Sequence, residues 1–572
     1  MKVRNGKFYI LNVIVCLFTV NVYSQDIEAL VKAPLLVTNG GISVSQIATL
    51  QPDNLVTNPY ALYLGGNLNF NVLGVVSVPL SFAYTNQQLS KSVSLPFNRF
   101  SISPSYKWVK VYAGYTSMQF SPYSLAGHEI YGGGVELTPD NGLRISAIFG
   151  RLKRADAEID PSFRRMGGGF SVEYKREKFD VGVNIFKAQD ILSSNPFPNP
   201  DSIPVNPQDN LTGSVKANVN IVKNLRLGLE YGMSAINRKM VTNENTENDF
   251  RLLHTKGDMA IYHAEKAQLS YTLDLSTFGA TYERVAPNYT TLGTYYMTND
   301  FENITANFST AIKKVNIALD GGYQRNNLDN QKTNTTSRII YSANVSSAIT
   351  EKLNLGAAFS NLQAYVYVND IYSQVTQTND YQNLDTLNVT QLNYTASLNA
   401  SYLLESSKER RQSTNFNFMY QKSAEAQQYS RFSGNDIYNT SLSYQLSFMP
   451  IQFNTSASIS NNYNRMPENM YINAMTYNVS LQKTFFKVLR TTLSTTFSEM
   501  KNQDGFLSNV LNMRLSGGYV LAKKHSFNLA MSLLHTEAAK TQTQYMANLS
   551  YSYAFNVRVA RKDKKFGIEA DF

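Results

Sequence analysis

The chain has 572 residues, of which 43% are hydrophobic and 12% aromatic but only 16% charged. That charge content lies well under the roughly 25% of soluble globular domains, and the apolar content is too high for a disordered chain. A single cysteine, Cys16, excludes a disulfide scaffold, and the net charge of +10 is spread thinly enough that no nucleic-acid partner is expected.

At the start, Lys2, Arg4 and Lys7 precede an apolar run from Phe8 to Val20, and Val22-Tyr23-Ser24 has the small-residue character of a cleavage site. Residues 1–24 are expected to be a signal peptide, and Cys16 leaves with them. The run is short for a membrane anchor, which needs roughly 20 apolar residues, and no later segment reaches that length. Residues 25–36 then form a short periplasmic segment, too short for a plug or docking domain.

From residue 37 onward the apolar residues fall on every second position. The clearest run is Leu225, Leu227, Leu229, Tyr231 and Met233, interleaved with Arg226, Gly228, Glu230, Gly232 and Ser234. Phe179 to Ile185, Leu392 to Tyr402, Leu442 to Phe448 and Phe527 to Leu533 repeat it. In a strand such residues share one face. A soluble antiparallel sheet shows the same alternation, but its recurrence to the end of the chain is the pattern of a transmembrane β-barrel. The fold class expected is all-β: a large antiparallel transmembrane β-barrel over residues 37–555, with about 24–26 strands. No separate plug domain is expected, and residues 556–572 form a basic periplasmic tail.

Short turns are expected at Leu73-Gly74, near Trp108, at Pro139 to Gly142, near Glu177, at Lys223-Asn224, Leu273-Asp274, Lys313-Lys314, Glu351-Lys352, Met449-Pro450, Phe486-Lys487 and Lys523-Lys524. One longer, charged turn is expected over Glu405 to Gln412. Asn86 to Asn98, Ala188 to Asn210, Ile236 to Tyr262 and Val368 to Asn388 are the longer connections. They belong outside the cell, because such barrels have short periplasmic turns and long outer loops.

No phosphate loop, dinucleotide fingerprint, zinc-spaced His pair or GxSxG elbow occurs, so neither a cofactor nor a metal nor an enzymatic activity is expected. His254 and His263 flank an outer loop with Asp258 and Glu265. With His128, they are the residues a barrel-mouth hydrolase would use. The runs Gly132-Gly133-Gly134 and Gly167-Gly168-Gly169 are read as strand curvature or a bulge, with close approach of a partner or an internal loop to the wall as the alternative. Two stretches are dense in Pro, aromatic and basic residues: Phe97 to His128 and Tyr282 to Thr305. Each is either a folded outer loop with an aromatic girdle or a loop turned inward that narrows the lumen. The candidate lumen and constriction residues are Arg99, Lys107, Lys110, Arg226, Glu230 and Arg284.

PFNRFSISPSYKW (Pro96 to Trp108), GYTSMQFSPYSLAGH (Gly114 to His128), PQDNL (Pro207 to Leu211), YERVAPNYTTLGTYY (Tyr282 to Tyr296), NDFENIT (Asn299 to Thr305) and QRNNLDNQK (Gln324 to Lys332) resemble a family of outer-membrane barrels of the Bacteroidota. The resemblance covers Pro59 to Asp370 and implies location and architecture, with no catalytic residue to carry over. The expectation is a barrel of the Gram-negative outer membrane that acts in transport or translocation. Its lumen is closed by its own loops or by a lipoprotein or plug subunit, and it contacts outer-membrane lipids and lipopolysaccharide. A stand-alone porin-like channel and a non-conducting envelope scaffold are the alternatives.

Overall fold

The computed structural model describes residues 34–50, 59–86, 98–157, 161–194, 205–240, 253–332, 337–361, 391–425, 434–560 and 567–570, with 196 and 335 isolated. The expected signal peptide and the Val368 to Asn388 connection lie outside the described residues.

The wall opens with β1 (Leu36–Leu50), β2 (Tyr60–Val72), β3 (Val76–Thr85), β4 (Arg99–Ile102), β5 (Ser105–Tyr106), β6 (Val109–Gln119) and β7 (Ala126–Leu137). It continues with β8 (Leu143–Lys153), β9 (Arg164–Lys175), β10 (Phe179–Ile191), β11 (Asp209–Val222), β12 (Leu225–Met240), β13 (Gly257–Leu273) and β14 (Ser276–Val285). Next come β15 (Phe301–Ile312), β16 (Val315–Arg325), β17 (Ser337–Ala348), β18 (Leu353–Ser360), β19 (Gln391–Ser406), β20 (Arg410–Glu425) and β21 (Gly434–Phe448). The last are β22 (Phe453–Arg465), β23 (Tyr471–Phe485), β24 (Leu489–Asn502), β25 (Gly505–Leu521), β26 (His525–Glu537), β27 (Gln542–Ala560) and the short β28 (Gly567–Ala570).

Each strand pairs antiparallel with its sequence neighbours, and β1 closes the ring by pairing along its whole length with β27, from Leu36 opposite Val559 to Leu50 opposite Tyr545. β4 and β5 share one place between β3 and β6, interrupted at Pro104, which has no N–H for the ladder. Setting β28 aside, the result is a closed barrel of 26 antiparallel strands. At about 4.8 Å between strands and a tilt near 40°, a circular wall of this kind is on the order of 50 Å across.

Side-chain alternation assigns the faces. On β12, Leu229, Tyr231 and Met233 are exposed on the outside, while Gly228, Glu230, Gly232 and Ser234 turn to the lumen. Ring contacts mark both edges of the apolar band. Tyr420, Tyr438, Tyr463 and Tyr471 form a row on β20 to β23 with centroids 4.9, 6.1 and 5.6 Å apart, and Phe448 meets Phe453 at the other end. The step from Tyr438 to Phe448, at about 3.3 Å per residue and that tilt, spans about 25 Å, the height of a lipid-facing band flanked by aromatic girdles. Near the outer edge, Glu265, Arg284, Glu302 and Arg325 are in-register neighbours on β13 to β16, so opposite charges alternate along the rim.

Several boundaries differ from expectation: the Ala188 to Asn210 and Ile236 to Tyr262 connections lose their ends to β10 to β13, which reach Ile191 and Met240 and start at Asp209 and Gly257. The wall runs to Ala560 rather than 555, because Val557 and Val559 keep partners on β1, and β28 folds back onto Val557 to Ala560. The charged turn is only residues 407–409; Glu405 and Arg410 to Gln412 belong to the strands, where Arg410 Nε donates to Glu405 Oε2 at 2.7 Å.

Candidate functional site: two loops locked on the inner wall

The loop between β6 and β7, residues 120–125, closes on itself. Phe120 N–H donates to Leu125 O at 2.9 Å, and Ser121-Pro122-Tyr123-Ser124 makes a turn in which Ser124 N–H reaches Ser121 O at 3.1 Å. Proline suits the second position of such a turn because its φ is preset. The loop between β14 and β15, residues 286–300, is tied at its base, where Asp300 N–H donates to Ala286 O, and across its middle, where Asn299 Nδ2 donates to Tyr289 O at 2.8 Å.

These two loops, about 160 residues apart in sequence, meet inside the barrel. Leu125 and Gly293 form a parallel bridge, Ala126 N–H donates to Gly293 O, Tyr289 Oη–H donates to Tyr123 O at 2.7 Å, and Thr291 Oγ1–H donates to Ser124 O at 2.5 Å. The wall then holds both. Ser121 donates to Glu230 and Tyr123 Oη–H to Glu283 Oε1 at 2.7 Å; Ser124 donates to Asn184, and Asn210 Oδ1 accepts from Leu292 N–H at 3.0 Å. Beneath them Met118, Phe120, Leu125, Ile130, Ile148, Phe186 and Leu292 form a dry cluster. Phe186 lies on the opposite parity from the exposed Val183 and Ile185, which places the cluster on the lumen side. The bonds from Ser124, Tyr289, Thr291 and Leu292 are buried, so burial reinforces the lock there rather than competing with it. Burial, then the Glu283 carboxylate, pushes the Tyr123 hydroxyl well above the ordinary tyrosine range, and burial does the same for Tyr289, so both remain neutral donors.

Of the two dense stretches singled out from composition, residues 120–125 and 286–300 are thus turned inward and hold each other, whereas the rest of Phe97 to His128 is mostly wall strand in β4 to β7 and the ends of Tyr282 to Thr305 belong to β14 and β15. Of the candidate lumen residues, Glu230 accepts the Ser121 hydroxyl in the lock, and Arg226 faces the lumen near the periplasmic end. Lys110 faces inward over the Tyr112 ring, and Arg99 pairs with Glu129 at 2.5 Å. Two are not lumen groups. Lys107 occupies the β5–β6 turn with φ 49°, beside Tyr106. Arg284 shares the outward parity of Phe278 and belongs to the rim ladder. Asn184, Asn210 and Ser234 escape a sequence reading, because their lumen-facing positions carry no signal that loop residues 60, 82 and 56 positions away bond to them.

The glycine triplets serve close packing: a Cβ on Gly134 would stand 2.8 Å from Met118 Cε, and Gly132 and Gly150 pack backbone against backbone. The internal loop approaches the wall at another glycine, Gly232, where a Cβ would stand 2.6 Å from Tyr123 Cβ. The histidines do not converge. His128 stacks on Tyr295 at 4.1 Å, His263 faces outward beside the Tyr231 hydroxyl, and His254 is buried against Asp209 with Lys187 on the same carboxylate.

Across the wall from the loops, the inner face is chemically different. Charged groups line β7 to β14, where Glu136, Arg144, Glu173 and Lys216 form one chain of ion pairs. From β19 to β24 the inward residues at the middle of the band are Ser, Thr and Asn, and β25 adds Asn512 beside Val510. Among the described residues no cluster of His, Cys, Asp and Glu is arranged to hold a metal ion.

No family model matches this chain, and no curated protein does. Among solved structures, it is similar to the ferric citrate transporter FecA in its unliganded form, at 10% identity over 91% of this chain and 79% of that one, with a TM-score of 0.37. The P pilus usher PapC translocation pore is similar at 9% identity over 90% and 99% of the two chains, with a TM-score of 0.36. An anion-selective porin from Comamonas acidovorans is similar at 10% identity over 68% and 100%, with a TM-score of 0.27. Likenesses this distant carry no argument about what passes through this barrel, and the closed ring of β1 to β27 establishes its fold on its own pairing.

Proposed function

We propose that this chain is a barrel of the Gram-negative outer membrane that passes polar cargo through its lumen, with the 120–125 and 286–300 loops as a fixed barrier along the arc they line. The remaining cross-section is closed, in this reading, by other loops or by a separate subunit such as a lipoprotein, and outer-membrane lipids and lipopolysaccharide contact the outward band. The carrying observation is the lock itself: a wall of this circumference holds two loops inside through hydrogen bonds from Tyr123, Tyr289 and Leu292. A scaffold displaying its outer surface gains nothing from organising its interior, whereas a conduit of this width leaks unless its interior is built.

The test is planar-bilayer conductance of the purified full chain against a variant in which residues 287–299 are replaced by a short Gly-Ser linker, both checked for the folded barrel by heat-dependent gel mobility. A larger unitary conductance in the variant supports the reading. If both are silent and nothing co-purifies from native membranes in stoichiometric amount, the scaffold reading takes its place. A wild-type chain that conducts alone, with no co-purifying subunit, favours the stand-alone channel.

A further inference from the structure

We propose that the inner face of β19 to β25 is a binding track for neutral, polyhydroxylated chains such as oligosaccharides. The inference rests on the transport reading and deepens it by naming the cargo class. One in-register row crosses six strands as Asn399, Asn417, Ser441, Ser460, Thr476 and Ser498. The next row runs from Ser401 on β19 to Asn512 on β25 and again holds only Ser, Thr and Asn. Ser441 and Ser443 lie between the two aromatic girdles, so both rows sit near the middle of the membrane band.

Groups along a row repeat at about 4.8 Å, and rows at about 7 Å, which makes the wall a lattice of uncharged donors and acceptors. Its members already bond to one another: Asn478 Nδ2 donates to Thr496 Oγ1 at 2.7 Å, Asn417 Nδ2 to Ser441 Oγ at 3.4 Å, and the Thr476 and Ser498 hydroxyls lie 2.8 Å apart. A hydroxyl donates and accepts, and so does a carboxamide, so a hydroxylated chain exchanges into these bonds pair for pair and slides from one to the next. Other cargo fits less well. An acyl chain would strip these groups of water and return no bonds. A polyanion meets Arg514 alone at this depth, with Arg411 and Arg490 nearer the periplasmic turns. A polypeptide brings charges of both signs to a face that, among the described residues of β19 to β26, presents no inward carboxylate between its turns.

The test is isothermal titration of the full-length barrel, held in an amine-oxide detergent that lacks sugar groups, with three hexamers: a neutral glucan, a uronic acid chain and a mixed-charge peptide. The double variant N417L/N478L is titrated alongside, and the conductance of the same preparations is recorded. The glucan is expected to bind at least about fivefold tighter than the others, and the variant to lose about fivefold, the worth of one neutral hydrogen bond. Tighter binding of the uronic acid chain or of the peptide overturns the assignment in favour of that class. No binding by any of the three reduces the rows to a hydrated lining and overturns it as well. Glucan binding without conductance or a co-purifying subunit fails the transport reading alone, and conductance without glucan preference fails this inference alone.

Discussion

Gly232 is where the inner wall yields to the loop above it. A leucine there collides with the Tyr123 Cβ, which is anchored by its own hydroxyl on Glu283, so neither side gives easily. G232L is expected to cost about 1–3 kcal/mol of loop packing and to raise hydrogen exchange over residues 120–126, whereas G321A, which points into open space, leaves exchange unchanged. Y289F tests the lock from the other side. It deletes the donor to Tyr123 O while keeping the buried ring, and is expected to cost about 1 kcal/mol, read as faster exchange over 286–300 with the barrel intact. Asp300 makes the loop base sensitive to acid. Burial opposes its ionisation, but Lys332 and the backbone N–H groups of Leu328 and Asn327 outweigh burial and hold the carboxyl below its ordinary range. A depressed folded-state pKa contributes stability above the ordinary carboxylate pKa and loses it as pH falls through the depressed value. Exchange over 286–300 is therefore expected to accelerate as pH falls below the ordinary carboxylate range, and D300N to remove that acceleration; an identical profile in the variant assigns the acid response elsewhere.

At the scale of elements, the seam between the first and last wall strands decides whether the ring opens sideways. β1 and β27 stay in register along all of β1, and Ser45 lies opposite Ser550 on the lumen side. Partners of this kind lie within the Cα spacing a disulfide needs. S45C/S550C is expected to cross-link on oxidation to near completion, seen as a mobility shift in denaturing gels, and to leave conductance unchanged; failure to cross-link would mean that the seam parts. The strands themselves were legible because period-two alternation is local: Leu225 to Ser234 declares its two faces without any partner. The turn at 407–409 was misread because Glu405 and Arg410 look like loop charge, while in the structure they face each other across the hairpin mouth. Arg284 was assigned to the lumen on composition, although Phe278 and Tyr282 share its parity and place it outside. The mutual lock was not legible, since a contact between Leu125 and Gly293 leaves no periodicity in either segment.

For the molecule as a whole, the inward charges are sorted along the barrel axis as well as around it. Lys110, Arg226, Arg411, Arg490 and Arg558 all face the lumen close to the periplasmic turns. Glu136 and Glu173 are tied to Arg144 and Lys216, Glu230 and Glu283 share the row of Glu173 and Lys216, and Asp180 is an inward carboxylate nearer the turns. A cationic collar of this kind raises the local concentration of anions within about one Debye length, near 10 Å at 0.1 M salt and near 30 Å at 0.01 M. Across a lumen tens of ångströms wide, the collar therefore acts weakly in concentrated salt and strongly in dilute salt. Under a potassium chloride gradient the reversal potential of any conducting form is expected to report anion preference that grows as both solutions are diluted. R411Q/R490Q removes two of the collar's charges on the neutral arc, where no carboxylate offsets them, and is expected to shift the reversal potential towards cations. A potential that is unchanged in the double variant would show that ions cross along the charged arc beside Lys216 and Lys266, where Glu173 and Glu283 already compensate the lysines, rather than along the Ser, Thr and Asn rows.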